Sequence, residues 1–178
     1  MRIVAGEFGG RRVLAPRGRA TRPTADRVRE ALFSILGSVH DARVLDLFAG
    51  SGALAIEALS RGAAEATLVD TSPAAITAIK RNLSTIGATA EVRRQPAAAF
   101  LERARADARQ YDLVFLDPPY QSAGDLGREL SAALIPVLAA DARVVAESDR
   151  RAPLALDLAL AHERRYGDTL IRIYHVPP

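Results

Sequence analysis

Arg43-Val44-Leu45-Asp46-Leu47-Phe48-Ala49-Gly50-Ser51-Gly52 is the stretch whose reading decides the architecture. Residues 43–48 form a strand-like apolar run that carries one acid. A glycine-rich turn follows, and Leu54, Ile56, Ala58 and Leu59 continue as a helix to Gly62. Strand, glycine turn and helix make the repeating unit of parallel α/β sheets. The glycines let the backbone turn sharply and come close to a ligand. The helix start offers free N–H groups and the positive end of a dipole. Gly50-Ser51-Gly52-Ala53-Leu54-Ala55 fits the dinucleotide pattern G-x-G-x-x-G/A. Asp70 stands about twenty residues on, where a ribose-binding acid is expected. Alone, these residues do not separate a nicotinamide cofactor from another adenosine-containing one. Plainer readings stand beside them: glycines needed only for packing, an Asp46 that bonds the next loop, and a solvated strand-end acid at Asp70.

Outward from this unit, strands and helices alternate. Residues 66–70 read as a strand, and Ser72-Pro73 opens a helix as N-cap and first residue. Its stripe is Ile76, Ile79, Leu83 and Ile86, and Gly87 closes it. A short strand over 91–94 precedes an alanine-rich helix that packs Phe100, Leu101 and Ala104. A strand over 111–116, a helix over 124–134, a strand over 142–147, a strand over 156–165 and a last strand over 170–174 complete the chain. The Gly167-Asp168 turn predicts that the last two strands pair antiparallel at the sheet edge. Upstream, residues 2–14 alternate loosely around Gly9-Gly10, a hairpin signal. Residues 15–22 read as an exposed basic loop. Pro23-Thr24 opens a helix with Thr24 as N-cap, and Gly37 can stop it. The expectation is an α/β fold: a mostly parallel, seven-stranded, Rossmann-like sheet with helices on both faces and a C-terminal antiparallel strand. A small basic N-terminal hairpin arm spans 1–22, and the main domain spans 23–178.

A second stretch carries chemistry. Asp117-Pro118-Pro119-Tyr120 follows the strand 111–116. Pro119 has no N–H for a ladder, so the strand must end there. A carboxylate, two rigid prolines and an aromatic ring thus sit at the carboxyl end of a buried strand, where open α/β sheets bind ligands. A proline-rich turn that merely closes the strand is the plain alternative.

Composition bounds the rest. The 178 residues are enough for one domain with a sizeable core, and 49% hydrophobic with 25% charged residues is ordinary for a soluble protein. With no cysteine there is no disulfide framework and no thiolate metal site. His40, His162 and His175 are too scattered to suggest a metal cluster. No apolar run reaches bilayer length, and the first residues lack a signal-peptide core, so a soluble cytoplasmic protein is expected. Net charge is +3, but residues 1–30 hold eight arginines against Glu7, Asp26 and Glu30. A basic arm on a near-neutral body suggests a polyanionic partner, most simply nucleic acid; a solvated charged segment is the bland reading.

Taken together and in this order, residues 46–52, Asp70 and residues 117–120 resemble the class I S-adenosylmethionine-dependent methyltransferases. The tetrapeptide resembles the version that methylates exocyclic amino groups of bases. The entry stretch 22–33 and the exit Tyr166-Gly167-Asp168-Thr169 are similar to bacterial small-subunit ribosomal RNA guanine-N2 methyltransferases of the RsmD type. The resemblance implies a class I methyltransferase fold and S-adenosyl-L-methionine as cofactor. It implies methyl transfer to the N2 of a guanine in 16S ribosomal RNA, at the guanine-966 site. Asp46, Phe48, Gly50, Ser51 and Gly52 would surround the methionine part and Asp70 would take the ribose hydroxyls. Thr24 and Arg27 would close over the methionine end. Gln95, Pro96 and Ala97 would border the adenine; Pro96 stands where relatives carry Asp or Asn. Asp117, Pro118, Pro119 and Tyr120 would hold the target base. Arg2, Arg11, Arg12, Arg17, Arg19 and Arg22 would grip RNA phosphates. The implied partner is 16S rRNA or an assembling 30S particle, met by a monomer, with no metal and no membrane.

The chemistry is consistent with those roles. A guanine amino nitrogen is a poor nucleophile because its lone pair is delocalised, whereas a sulfonium is already a strong methyl donor. Orientation and stabilisation of developing positive charge are what the protein must add. Asp117 and the Pro118 carbonyl can accept the two amino N–H bonds, and Tyr120 can stack on the base. Such a pocket needs a loop base or a flipped one. Other readings are methylation of adenine N6 or of DNA, a nicotinamide-dependent oxidoreductase, and a non-catalytic ribosome-assembly factor.

Overall fold

The computed structural model describes residues 1–15, 26–118 and 123–176, with backbone alone over 123–125. In chain order the elements are α1 (Asp26–Leu36), β1 (Arg43–Leu47), α2 (Ala53–Ser60), β2 (Glu65–Asp70), α3 (Pro73–Ile86), β3 (Glu91–Arg94) and α4 (Ala97–Ala106). Then come β4 (Tyr111–Leu116), α5 (Ala123–Leu134), a 3₁₀ turn (Ile135–Val137), β5 (Leu138–Asp149), β6 (Ala159–Tyr166) and β7 (Thr169–His175).

One seven-stranded sheet has the order β3-β2-β1-β4-β5-β7-β6. The first five strands run parallel; β7 is antiparallel to β5 and β6. This is the expected architecture, and the order reverses direction between β1 and β4. Crevices at such a reversal are where open α/β sheets bind ligands. The inner strands are apolar on both faces, as a sheet covered twice requires. Val44, Leu113, Phe115 and Val145 pack with α1, α2 and α3 on one face. Leu45, Leu47, Val114 and Leu116 pack with α4 and α5 on the other.

The N-terminal residues belong to the first of these cores. Ile3 and Val13 are buried in it, joined by an antiparallel bridge between Arg2 and Arg12. Glu57, fully buried on α2, accepts the Val4 and Ala5 N–H groups at 2.7 and 3.1 Å. The Arg61 guanidinium lies 2.8 Å from its carboxylate and Arg29 at 3.4 Å. Charged hydrogen bonds at this depth hold the segment firmly and make any missing partner costly. Gly6 sits at φ +85, where a Cβ would fall 1.7 Å from the Ser60 carbonyl oxygen, so only glycine fits the approach.

Several boundaries differ from the expected ones, and three of the differences have a visible cause. Strand β1 stops at Leu47 because Phe48 turns to φ +67. Strand β5 begins at Leu138, pairing with Tyr111 across a bulge before Leu113. Strand β6 begins at Ala159; Leu154 and Leu156 are buried before it, where the Tyr174 hydroxyl donates to the Leu154 carbonyl and accepts the Leu156 N–H. Among the described residues no helix is long and apolar enough to cross a membrane, and no group of three or more acids and histidines could hold a metal ion.

Candidate active site at the carboxyl edge of the sheet

Leu47 pairs with Leu116, the last residues of β1 and β4. The next residues out are Phe48, which leads into the glycine turn, and Asp117. Adjacent parallel strands lie about 4.8 Å apart, so the two stretches singled out in the sequence leave the sheet side by side. Val69 pairs with Leu47 from the other flank, and Asp70 pairs with Arg94. Gln95, Pro96 and Ala97 follow Arg94 on the same edge, Pro96 as the N-cap of α4. The edge therefore presents, in spatial order, residues 95–97, Asp70, the turn 48–52, and Asp117-Pro118.

The turn is held by carboxylates. Phe48, Gly50 and Gly52 all have positive φ, +67, +55 and +77. At Gly52 a Cβ would meet Leu68 Cδ2 at 2.7 Å, so close packing demands glycine. At Gly50 nothing lies nearer than 3.9 Å, which leaves room for a ligand to approach the backbone. Asp70 is buried, and its Oδ2 accepts the Gly50 N–H at 2.9 Å while its Oδ1 accepts the Ser72 N–H at 2.8 Å. It is not a solvated strand-end acid: it closes the turn of β1 and the start of α3 together. Each oxygen keeps acceptor capacity for a ribose hydroxyl.

Asp46 is buried beneath the turn, and its Oδ2 accepts the Ala55 N–H at 3.3 Å. Burial, opposed by that N–H and reinforced by the charge of Asp70, pushes its carboxyl up to about 7. A buried acid with one long hydrogen bond and a second acid nearby is suited to a cationic ligand group. Together with the open side of Gly50, this donor and acceptor set fits a positively charged, ribose-bearing cofactor.

Helix α1 lies over this face. Phe33 packs on Phe115 at 5.9 Å between ring centroids, and the Leu36 carbonyl, one turn on, meets the Arg143 guanidinium beside Leu113. The helix therefore points its first turn, with exposed Arg27, toward the carboxyl edge. Asp117 is exposed and Pro118 buried. Arg2, Arg11 and Arg12 lie exposed on the docked N-terminal segment; the Arg2 N–H donates to Asp26 Oδ1 at 3.4 Å in the first turn of α1, and the Arg11 guanidinium donates to the Ile86 carbonyl at 2.7 Å and stacks over Phe8 at 5.4 Å. Thr24, Arg17, Arg19, Arg22, Pro119 and Tyr120 lie outside the described residues.

Two residues with no role assigned from the sequence stand at this edge. Glu147 is buried inside β5, one residue beyond the Leu116–Ala146 pair and so level with Asp117, while β5 runs on to Asp149. Its signal was available: it ends the apolar run 142–147 in an acid, as Asp70 ends its own. Asn82 is buried on α3 and its Nδ2 donates to the Ser51 carbonyl at 2.9 Å. A lone amide at helical spacing from Ile79, Leu83 and Ile86 was the clue to it.

The family model described as "Conserved hypothetical protein 95" matches residues 1–175. YlbH of Bacillus subtilis (strain 168), named provisionally as an rRNA methyltransferase, is 40% identical over 185 residues, covering 98% of each chain. "Ribosomal RNA small subunit methyltransferase D" of Escherichia coli (strain K12) is 44% identical over 123 residues, 68% of this chain and 61% of that one. A T. thermophilus 16S rRNA N2 G1207 methyltransferase solved with AdoMet and guanosine superposes with a TM-score of 0.70 at 19% identity, over 94% of this chain and 46% of that one. At that identity the likeness is one of fold: the sheet is that of the class I methyltransferases.

Proposed function

This chain belongs to the family described as Conserved hypothetical protein 95, and from that premise we propose that it is an S-adenosylmethionine-dependent methyltransferase of small-subunit ribosomal RNA. The finer proposal is transfer to the exocyclic N2 of a guanine, at the guanine-966 site, by a cytoplasmic monomer acting on 16S rRNA or an assembling 30S particle. Support comes from the small-subunit enzyme of E. coli among the relatives and from the two strand tips. The single observation that carries the reading is the Leu47–Leu116 pairing, which sets Asp117-Pro118 beside the glycine turn.

When bound, S-adenosylmethionine supplies a methyl group activated by its sulfonium. The chain's residues do the rest. Asp46 and the turn 48–52 hold the cationic methionine end, with Thr24 and Arg27 closing over it. Asp70 takes the ribose, and residues 95–97 border the adenine. Pro96 brings no N–H and no polar side-chain atom, so Gln95 or the backbone near Ala97 must serve the adenine amino group. Asp117 and the Pro118 carbonyl accept the two N–H bonds of the target amino group. That aims the nitrogen lone pair at the methyl and favours the developing ammonium. Pro119 and Tyr120 complete the motif assigned to the target base, with Tyr120 offering a ring for the extruded base to stack on. The basic arm 1–22, with Arg2, Arg11, Arg12, Arg17, Arg19 and Arg22, supplies phosphate contacts to the domain 23–178.

The test is mass mapping of small-subunit RNA nucleotides from cells with and without the protein, with the purified chain added back. The expected result is one N2-methylguanine that disappears and returns. A mark on adenine N6, or no mark gained or lost, overturns the guanine assignment.

A further inference from the structure

We infer that Asn82 is a positioning residue that makes cofactor binding and RNA binding interdependent; the inference rests on the function proposed above. Asn82 touches neither the glycine backbone that faces a ligand nor the Asp117 tip. It sits on α3 with 1% of its surface exposed. Its side chain grips two backbone segments at once. Oδ1 accepts the Leu14 N–H at 2.9 Å, and Nδ2 donates to the Leu14 carbonyl at 3.0 Å and to the Ser51 carbonyl at 2.9 Å. The paired bonds to Leu14 copy the exchange made by a strand partner. The third bond reaches the middle residue of Gly50-Ser51-Gly52.

The two gripped segments belong to different jobs. Ser51 is part of the turn that holds the methionine end of the cofactor. Leu14 leads directly into the arginine-bearing stretch with Arg17, Arg19 and Arg22. The path is directed as well as anchored. Arg11 bonds the Ile86 carbonyl at the end of α3, and Leu14 bonds Asn82 about one turn earlier. The chain from 11 to 14 thus runs back along α3 toward its first residues, which lie at the carboxyl edge beside Asp70. Leu14, the last residue of this run, is held by the same amide that fixes the cofactor turn.

A buried amide with three satisfied bonds resists movement of one partner without the other, since a broken bond leaves an uncompensated polar group. A ligand that settles Ser51 therefore settles Leu14, and a polyanion that settles the arm settles the turn. Linkage makes the effect reciprocal: the cofactor tightens RNA by the same factor as RNA tightens the cofactor.

The experiment measures the affinity of a small-subunit RNA fragment containing the methylation site, with and without saturating S-adenosylhomocysteine. It uses the full chain, Asn82→Ala and Leu14→Pro. The proline variant removes the Leu14 N–H together with an exposed side chain, fixes φ there, and leaves both Asn82 Nδ2 donations available, to Leu14's position and to Ser51; it decides the matter if the alanine variant does not fold. The parent is expected to bind RNA ~5-fold or more tightly with the cofactor product present. That factor should fall toward one in Asn82→Ala and part of the way in Leu14→Pro, while each ligand alone still binds. A purely structural role would lower Tm and leave the factor intact, which overturns the inference. A parent that binds both ligands with a factor of one overturns the inference alone. A parent that binds neither overturns the proposed function and the inference with it.

Discussion

Asp70 Oδ2 accepts the Gly50 N–H at 2.9 Å, so a buried carboxylate on one strand closes the ligand-facing turn of the next. The same carboxylate caps α3 through Ser72. Hydrogen bonds to a charged acceptor are worth about 1.5–3 kcal/mol each when an uncompensated donor is left behind. Asp70→Ala is therefore expected to weaken S-adenosylmethionine binding by about ten- to a hundred-fold and to lower Tm. Asp70→Asn keeps one acceptor and should fall between. Titration calorimetry and thermal melts of the two variants check this.

Asp46 sets a pH dependence whose sign follows from its direction. Its carboxyl is raised from 3.8 to about 7, chiefly by burial. Between those values the folded state holds the proton and the unfolded state has lost it. Stability of the free protein should therefore fall as pH rises from about 4 toward 7, by at most ~1.4 kcal/mol per pH unit, and then level off. A cationic ligand beside Asp46 favours the ionised form, so cofactor binding below pH 7 should release a proton and strengthen as pH rises. Calorimetry at pH 6 in buffers of different ionisation enthalpy reads that proton directly. Asp46→Asn should abolish the release and the stability slope together.

Gly6 offers a way to unseat the N-terminal segment without touching the sheet. A Cβ there would meet the Ser60 carbonyl at 1.7 Å, and φ +85 disfavours any side chain. Gly6→Ala must move residues 5–8 away from α2, breaking the Glu7 N–H to Ser60 carbonyl bond of 2.8 Å and the Phe8 N–H to Ser60 Oγ bond of 2.9 Å. RNA affinity should drop several-fold, and the slope of log affinity against log salt should flatten as arm–phosphate contacts are lost. Cofactor affinity should change less. Equal losses of both, with a large fall in Tm, would show that the segment is part of the core and nothing more.

The strand–turn–helix unit at residues 43–62 was legible because its periodicity changes at the glycines, and both halves of the site lay at strand ends. The seven strands and the antiparallel pair followed from turn chemistry at Ser72-Pro73, Gly87 and Gly167-Asp168. What escaped was set by partners distant in sequence. Leu154 and Leu156 alternate like a strand, yet they are buried under the Tyr174 hydroxyl and make no ladder. Strand β5 begins four residues before the expected 142, because it bulges through Asp141, at φ +58, to reach Tyr111. Glu57 carries no local signal; its carboxylate is spent on Val4 and Ala5, more than fifty positions away. The same holds for Asn82 and Leu14. Local spacing reports faces and periods, and it carries no signal for a polar side chain that ties two remote backbones.

Asp117 is the residue on which the chemical step should depend, and a paired measurement separates that role from a structural one. It is exposed just past the end of β4, and Tm of the variant reads any structural cost separately from the chemical one. Asp117→Asn keeps the shape but replaces one acceptor oxygen with a donor, which opposes the amino N–H it must hold. An acceptor that acts on charge developing in the transition state is worth about 10²–10³ in rate. The expected outcome is a fall of that size in the single-turnover methylation rate, with S-adenosylmethionine affinity and Tm unchanged. Asp117→Glu, which restores the carboxylate but displaces it, should recover little, because positioning rather than basicity is being asked of it. If Asp117→Asn instead weakens cofactor binding as much as it slows transfer, the residue belongs to the donor's side of the pocket and the target base is held elsewhere.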